Sequence, residues 1–511
     1  MLHALLSKGY FPNELPPSFT TTNYADALVP PTGHAPPATF ANAKSGKLSS
    51  FSLARGGNFR FRRRLSLVNP IHFYNLSQRI ESAWGPLSAH VNQSPLSFSK
   101  TVVDPTYHRA IRPNFKSQRD LLPTKARNRA GCGAIVLADI SEFYHSIYTH
   151  SIPWALHTKP VAKANIGKPP LLGDELDRLI RKAQDNQTMG IPIGPDTSLI
   201  VSEIILSACD TELIAKMTGL KGLRYFDDYE FAFSQLSEAE SALATLQEVL
   251  LGYELRLNPR KTALHSPPIE FEVEWVREIR PFAFRRTVSG EAGDLIGYFD
   301  LITEHMLKSP NEHVAKYALS RLVDSNYAPF PQNVELYQSL LCQVATAEPG
   351  SIREVLQSLI FVSSQGHTLD LSLLSETLTS IIVRHAPLGH HYEVAWGVWA
   401  ALNLGIILEA SAVTAISNVD NSIVAILALD AAQQGVAPGL NTALWETRMS
   451  QSELYEEQWL LSYEANAQGW LPSAGGGDHV SSDGNFGFLK AAGVHFYTPT
   501  ATIPAFAGAY P

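Results

Sequence analysis

The chain is poor in cysteine. Only Cys132, Cys209 and Cys342 occur in 511 residues, which excludes a disulfide framework and a cysteine-rich zinc site. Thiols this sparse fit a reducing, cytoplasmic setting. Long hydrophobic runs are missing too. The longest, 394–408, has 15 residues and contains Asn403, whereas a membrane span needs about 20. It is expected as a buried helix, with no membrane partner. Residues 1–8 form too short an apolar run for a signal-peptide core. Charged residues make up 17% and hydrophobic ones 45%, which excludes a largely disordered chain. Two hydrolase signatures, Gly-x-Ser-x-Gly and His-Glu-x-x-His, are absent. Gly167-Lys168 leads into Pro169, not the Ser or Thr of a phosphate-binding loop. At roughly 100–200 residues per domain, the length predicts two to four domains.

The net charge of −8 hides an asymmetry. Residues 51–130 carry fourteen lysines and arginines against three acids, a net of +11. Residues 401–511 carry two against ten, a net of −8. The first region attracts phosphates and the second repels them. His385, His390 and His391 cluster, and are expected to be solvated loop histidines.

Proline pairs at 16–17, 30–31 and 36–37 mark residues 1–50 as an N-terminal extended arm. Residues 134–138 (AIVLA) form the continuous apolar run of a buried strand, ending in Asp139. Helical spacing covers 172–185, 197–215 and 237–253, with Glu203 and Asp210 embedded in the second. Residues 223–233 read as two strands around a tight centre, and 263–279 as short strands. Beyond about 286 the pattern becomes helix after helix, with unit lengths like those of an α-solenoid but no strict repeat.

Four local patterns follow in order. Asp139 ends the buried strand and precedes Ile140-Ser141-Glu142-Phe143-Tyr144. Gly190-Ile191-Pro192-Ile193-Gly194-Pro195 leads into a helix. Tyr225-Phe226-Asp227-Asp228 falls at an expected hairpin tip, and Asn258-Pro259-Arg260-Lys261-Thr262 comes last. Nucleotidyl transfer needs in-line attack of a hydroxyl on a triphosphate, with two magnesium ions on the attacking and leaving oxygens. Magnesium takes oxygen ligands and keeps several waters, so two or three carboxylates suffice. Asp139 and Asp227 would bridge the metals from neighbouring strands, and Ile140 would add its carbonyl. Adjacent side chains on a strand point to opposite faces. Asp227 and Asp228 can therefore share a metal centre only where a turn re-aims them.

This set resembles the palm of reverse transcriptases. Asp139 matches motif A, residues 190–195 motif B, residues 225–228 motif C and residues 258–262 motif D. The resemblance implies an α+β right-hand palm and fingers over 51–285, followed by an all-α helical-repeat C-terminal domain over 286–511. It implies catalytic Asp139, Asp227 and Asp228, with Mg2+ as cofactor and Mn2+ as a substitute. Tyr144 matches the aromatic steric gate that favours dNTPs over ribonucleotides. Lys261 matches the lysine that protonates the leaving pyrophosphate. Gly190, Pro192 and Gly194 would line the dNTP site, and Arg63, Arg64, Arg109 and Arg112 lie where finger residues hold the triphosphate. The segments 139–155 and 187–198, the opening Leu6-Ser7-Lys8-Gly9-Tyr10-Phe11-Pro12 and 459–464 (WLLSYE) are similar to bacterial defence-associated reverse transcriptases, the DRT/Abi group.

Two departures qualify the resemblance. Many relatives carry Gln in motif B, and Ile193 stands in its place, where it cannot make that hydrogen bond. No maturase, endonuclease or RNase H region is evident. The group includes members that copy a small non-coding RNA, that use no conventional template, or that prime from a tyrosine. Tyr10, Tyr497 and Tyr510 are the tyrosines expected within reach by flexibility. The implied partners are dNTPs, the DNA product, a guide RNA and a partner protein. The acidic end is expected to build a homo-oligomer or to wall off the product. The rival readings are an intron- or retron-type reverse transcriptase and a degenerate RNA-binding scaffold.

Overall fold

The computed structural model describes residues 1–30, 33–57, 60–115 and 117–499. Among the described residues, eight strands form three antiparallel sheets. β1 (Ser49–Ala54) pairs with β2 (Arg62–Leu67), and β3 (Thr101–Val103) with β4 (Ile111–Pro113). β5 (Ala134–Asp139), β6 (Lys221–Tyr225), β7 (Asp228–Phe233) and β8 (Ala263–His265) make the third sheet, in the order β6-β7-β5-β8.

β5 is apolar throughout because it is central and covered. Its Ala134, Val136 and Ala138 share a core with Ile200, Val201 and Ile204 of helix Asp196–Lys216 and with Leu246, Val249 and Leu250 of helix Leu236–Gly252. Both helices and the two strands β6 and β7 lie where the periodicity predicts them. The stretch 263–279 differs. Only β8 is a strand, and helix Glu274–Ile279 follows. Pro267 and Pro268 offer no N–H to continue the ladder.

The α+β half leads into the all-α half through helix Val288–Lys308. Helix Leu371–His385 packs on His391–Leu404, which packs on Ser422–Gln433, which packs on Trp459–Ala467. The run 394–408 supplies the buried helix expected of it, with Trp396 and Trp399 inside. Among the described residues, no helix is long and apolar enough to cross a membrane.

Residues 1–50 are not an extended arm. Helices Leu2–Ser7 and Thr22–Leu28 and a 3-10 turn at Ala38–Phe40 form a packed collar. The physical reason is aromatic burial. Tyr10, Tyr24 and Phe40 lie inside the same core as the helical half, and Tyr10 stacks on Phe73 at 4.1 Å. Burying such rings offsets the entropy of ordering a proline-broken segment. The collar also pairs with the far end of the chain, where Thr498 N donates to Ser18 O (2.8 Å) and Thr20 N to Phe496 O (3.0 Å). Tyr10 and Tyr497 are therefore not within reach by flexibility. The Tyr10 hydroxyl donates to Val68 O, that of Tyr497 to Asp430 Oδ2 (2.6 Å), and both rings are buried. Tyr510 lies outside the described residues.

The histidine cluster is not solvated either. The turn at Gly389 folds helix 371–385 back on helix 391–404, so His385 and His390 are buried with their Nδ1 atoms 2.7 Å apart. Beside them Glu393 takes both guanidinium ends of Arg62, each at 2.7 Å. These three side chains converge within 4.8 Å. The Arg62 charge on the carboxylate marks an ion pair that fastens β2 to the helical half, not a cation site.

Candidate active site

Two strand ends bring the acids together. Asp139 closes β5 and is 6% exposed; in the antiparallel register it faces Asp228 at the start of β7. β6 and β7 are joined by a two-residue turn, Phe226-Asp227, with Tyr225 opposite Asp228. The expected hairpin tip is therefore where the acids sit. Ile140 N donates to Asp227 O (3.3 Å), which ties the end of β5 to the tip.

The turn has a cost and a support. Phe226 adopts φ +54°, a left-handed conformation that bulky residues disfavour. Its N–H donates to Ser99 Oγ (2.8 Å) and its carbonyl accepts from Arg224 Nη1 (2.9 Å). Arg224 is fully buried. It pairs with Glu203 (2.8 Å) and Asp210 (2.9 Å), the two acids embedded in helix 196–216. Ser97 and Ser99 donate to Glu203 (2.8 and 2.7 Å), and Ser94 donates to Asp210 (2.6 Å). A saturated polar network of this kind fixes one arrangement of the tip.

Motif D closes the site from the β8 side. Asn258 Nδ2 donates to Asp139 Oδ1 (2.8 Å), and Lys261 Nζ to Asp139 Oδ2 (2.7 Å). The Lys261 side chain is 58% exposed, so it reaches the carboxylate from solvent. Burial opposes its charge, but the hydrogen bond and the charge of Asp139 prevail and raise its pKa. Asp227 is raised by burial and then by Asp139, with Lys261 and Arg63 opposing. Asp228 is pushed up to about 7 by desolvation, then by the charges of Asp227 and Asp139. Three acids thus crowd one edge with less positive charge than they need. The donor set is all oxygen, which fits a hard divalent cation. Asp139, Asp227 and Asp228 would hold it.

The motif B loop pairs with the segment after motif A. Gly190 N donates to Ile147 O (2.8 Å) and Ile191 N to Tyr144 O (2.9 Å). Gly190 has φ +82°, and a Cβ there would meet His145 O at 3.3 Å. Gly194 has φ +126°, and a Cβ there would lie 2.6 Å from Pro12 of the collar. Pro192 is buried between them. Tyr144 is half-buried; burial raises its hydroxyl pKa, and Asp227 adds to the rise from close by. Ile193 packs against the helical half's core, and its carbonyl accepts from Ser66 N of β2 (2.8 Å).

The four arginines separate. Arg63 is exposed on β2, and its charge acts on Asp227. Arg64 is exposed too, but its charge is felt by His391 of the helical half. Arg109 is not a triphosphate ligand in this arrangement. It is 7% exposed and donates to Asp196 Oδ1 (2.8 Å), Phe11 O (2.6 Å) and Gly194 O (2.8 Å). Arg112 is likewise occupied, by Asp104 Oδ2 (2.8 Å) and Pro113 O (3.0 Å). Ser99 and Arg224 are the site residues that sequence reasoning missed, and Asn258 stood in motif D without its bond to Asp139. Two acids embedded in an apolar helix were the available signal for Arg224.

An antiparallel palm with carboxylates at one edge and a helical region behind it is the architecture of a nucleic-acid polymerase. Residues 97–280 match the family model described as reverse transcriptase (RNA-dependent DNA polymerase). This stretch is a reverse-transcriptase-type polymerase domain, a class that uses divalent metal ions, and it contains all four motifs. No curated protein sequence matches the chain. Among solved structures it is similar to telomerase from Candida albicans in complex with a TWJ fragment of telomeric RNA. There the identity is 11% and the TM-score 0.30, covering 76% of this chain and 63% of that one. It is also similar to apo telomerase from Candida tropicalis, at 10% identity and TM-score 0.32, covering 78% and 66%. The chain spans less than two thirds of the length of either telomerase chain.

Proposed function

We propose that the chain is a magnesium-dependent RNA-directed DNA polymerase that adds dNTPs. The observation that carries this reading is the opposition of Asp139 and Asp228, with Asp227 at the turn between β6 and β7 and Lys261 on Asp139. Magnesium, when bound, stabilises the charge that develops on the attacking and leaving oxygens. Asp139, Asp227 and Asp228 would supply the oxygens that hold it, and the Ile140 carbonyl would add another. The attacking hydroxyl gives its proton to water, and its oxygen forms a bond to the α-phosphorus as the bond to pyrophosphate breaks. Lys261 is the acid that protonates the leaving pyrophosphate. Tyr144 blocks a ribose 2′-hydroxyl, and Arg63 meets the triphosphate. Asn258 and the Arg224 network keep the acids in register.

Antiphage defence is the biological role we infer from the resemblance in residues 139–155 and 187–198. The packed Ile193 supports a template interaction different from the glutamine type. The template would be a small RNA, with a partner protein or a second copy of the chain completing the assembly. The test is incorporation of labelled dNTPs by the purified chain with magnesium, with an RNA template and without one, run on a denaturing gel before and after protease. RNA-dependent product lost in EDTA is the expected result. Product that enters the gel only after protease identifies a protein primer other than Tyr10 or Tyr497. No incorporation under any of these conditions, by folded protein given cellular RNA, overturns the polymerase reading.

A further inference from the structure

Residues 9–13 of the collar take no part in the chemistry above, yet they pack against motif B. Asp196 begins the helix that motif B leads into, and its N–H donates to Gly9 O (2.8 Å). A Cβ at Gly9 would meet Ala110 Cβ at 2.9 Å and Asp196 Oδ2 at 3.0 Å, so this close approach needs glycine. Pro12 lies against Gly194. Arg109, in the loop between β3 and β4, joins these segments. Its Nη1 donates to Phe11 O (2.6 Å) and Asn13 Oδ1 (3.2 Å), its Nη2 to Gly194 O (2.8 Å) and Asp196 Oδ1, and its Nε to Asp196 Oδ1 (2.8 Å). Every N–H of the guanidinium is thereby used. The other carboxylate oxygen of Asp196 accepts from Ile111 N (3.0 Å). Two consecutive motif B carbonyls are thus gripped from outside the palm sheet, Ile193 O by Ser66 N (2.8 Å) and Gly194 O by Arg109.

Resting on the polymerase reading above, we infer that Arg109 is a positioning residue for dNTP binding, which holds motif B in place by fastening it to residues 9–13. A guanidinium is a rigid planar fork, and its bonds here reach the collar, the motif B loop and the start of the following helix at once. A lysine ammonium has its donors on one nitrogen and cannot span the same acceptors. The hydrogen bonds of Arg109 go to none of the three aspartates. Loss of the fork therefore shifts the backbone that lines the dNTP site and leaves the acids where they are. The opening segment gains its place in the enzyme in the same way: Gly9 leaves room for Asp196, and Pro12 packs on Gly194.

The test is hydrogen–deuterium exchange of the full chain without nucleotide, with steady-state dNTP incorporation beside it. The variants are Arg109→Lys and the milder Gly9→Ala, which carries the test alone if the first does not fold. Tyr24→Phe is the control for lost stability, because it removes a buried hydroxyl bond to Pro70 O (2.6 Å) elsewhere in the collar. Both variants should exchange about 10-fold faster over residues 188–198. Both should raise the KM for dNTP by about 10-fold or more while kcat stays within about 3-fold. Tyr24→Phe should leave the exchange of 188–198 and the KM unchanged. Unchanged exchange at 188–198 in the folded variants, an unchanged KM, or an equal rise of both in Tyr24→Phe overturns the role of Arg109. An unaltered chain that incorporates nothing overturns the polymerase reading instead, and the exchange then still decides whether Arg109 fastens motif B.

Discussion

Two carboxylate clusters meet at the turn between β6 and β7, one through Arg224 and the other through Asp227, and they are built to opposite rules. Glu203 and Asp210 are fully buried, and each is matched by Arg224 and by serine hydroxyls. Asp139, Asp227 and Asp228 sit at the ends of the two inner strands, with Lys261 as the one cation bonded to them among the described residues. The first cluster is complete as folded. The second sets three acids against one bonded cation, and burial, with the acids' charges on one another added to it, pushes Asp227 and Asp228 up. Satisfied buried charge is a device for shape; unsatisfied charge at an open edge is a device for chemistry.

The sharpest way to break this comparison is to unmatch the buried cluster. Arg224→Met leaves two acids buried without their cation. It should cost about 3–5 kcal/mol in a denaturant titration. A loss under about 1 kcal/mol would mean that the network does not hold the tip. Lys261→Ala acts on the other cluster. It should lower kcat about 10²-fold, the usual worth of a positioned acid, with little change in melting temperature. Loss that appears only in dNTP affinity would remove its role as acid.

Tyr144→Ala should raise ribonucleotide incorporation by roughly 10-fold or more relative to dNTPs, the scale of one steric contact in a pocket. Unchanged selectivity would leave Tyr144 as packing alone.

The smallest effect concerns pH. A carboxyl raised in the folded state favours folding while it is protonated, and that contribution is lost as pH rises through the raised value. For Asp228 the window runs from about 4, its ordinary value, to about 7. Without divalent ions, stability should fall across this range. Magnesium compensates the ionised acids, so its effect on melting temperature should be larger at pH 8 than at pH 5. An equal shift at both would contradict the charge deficit.

Much of the site was legible because its chemistry is local. An apolar run that ends in Asp139 announces a buried strand, and four residues from Tyr225 to Asp228 announce a turn. What stayed hidden depends on distant partners. Asn258 is 119 residues from the Asp139 it holds, and Arg109 is 87 from Asp196. An arginine near a basic cluster reads as a phosphate ligand until its acid is known. The collar was missed for the same reason, since its aromatic rings are covered by the end of the chain. His385 and His390 read as loop residues because the ion pair that encloses them, Arg62 with Glu393, spans 331 residues. The sheet and the helical half were legible from periodicity, which needs no partner.

The most direct measurement compares Asp227→Asn with the unaltered chain, for both dNTP incorporation in magnesium and melting temperature in EDTA. The substitution removes one charge from a crowded edge while keeping the shape of the side chain. The account predicts that incorporation falls by about 10³-fold or more while the melting temperature holds or rises. Retained incorporation, or a loss that merely accompanies unfolding, would contradict it.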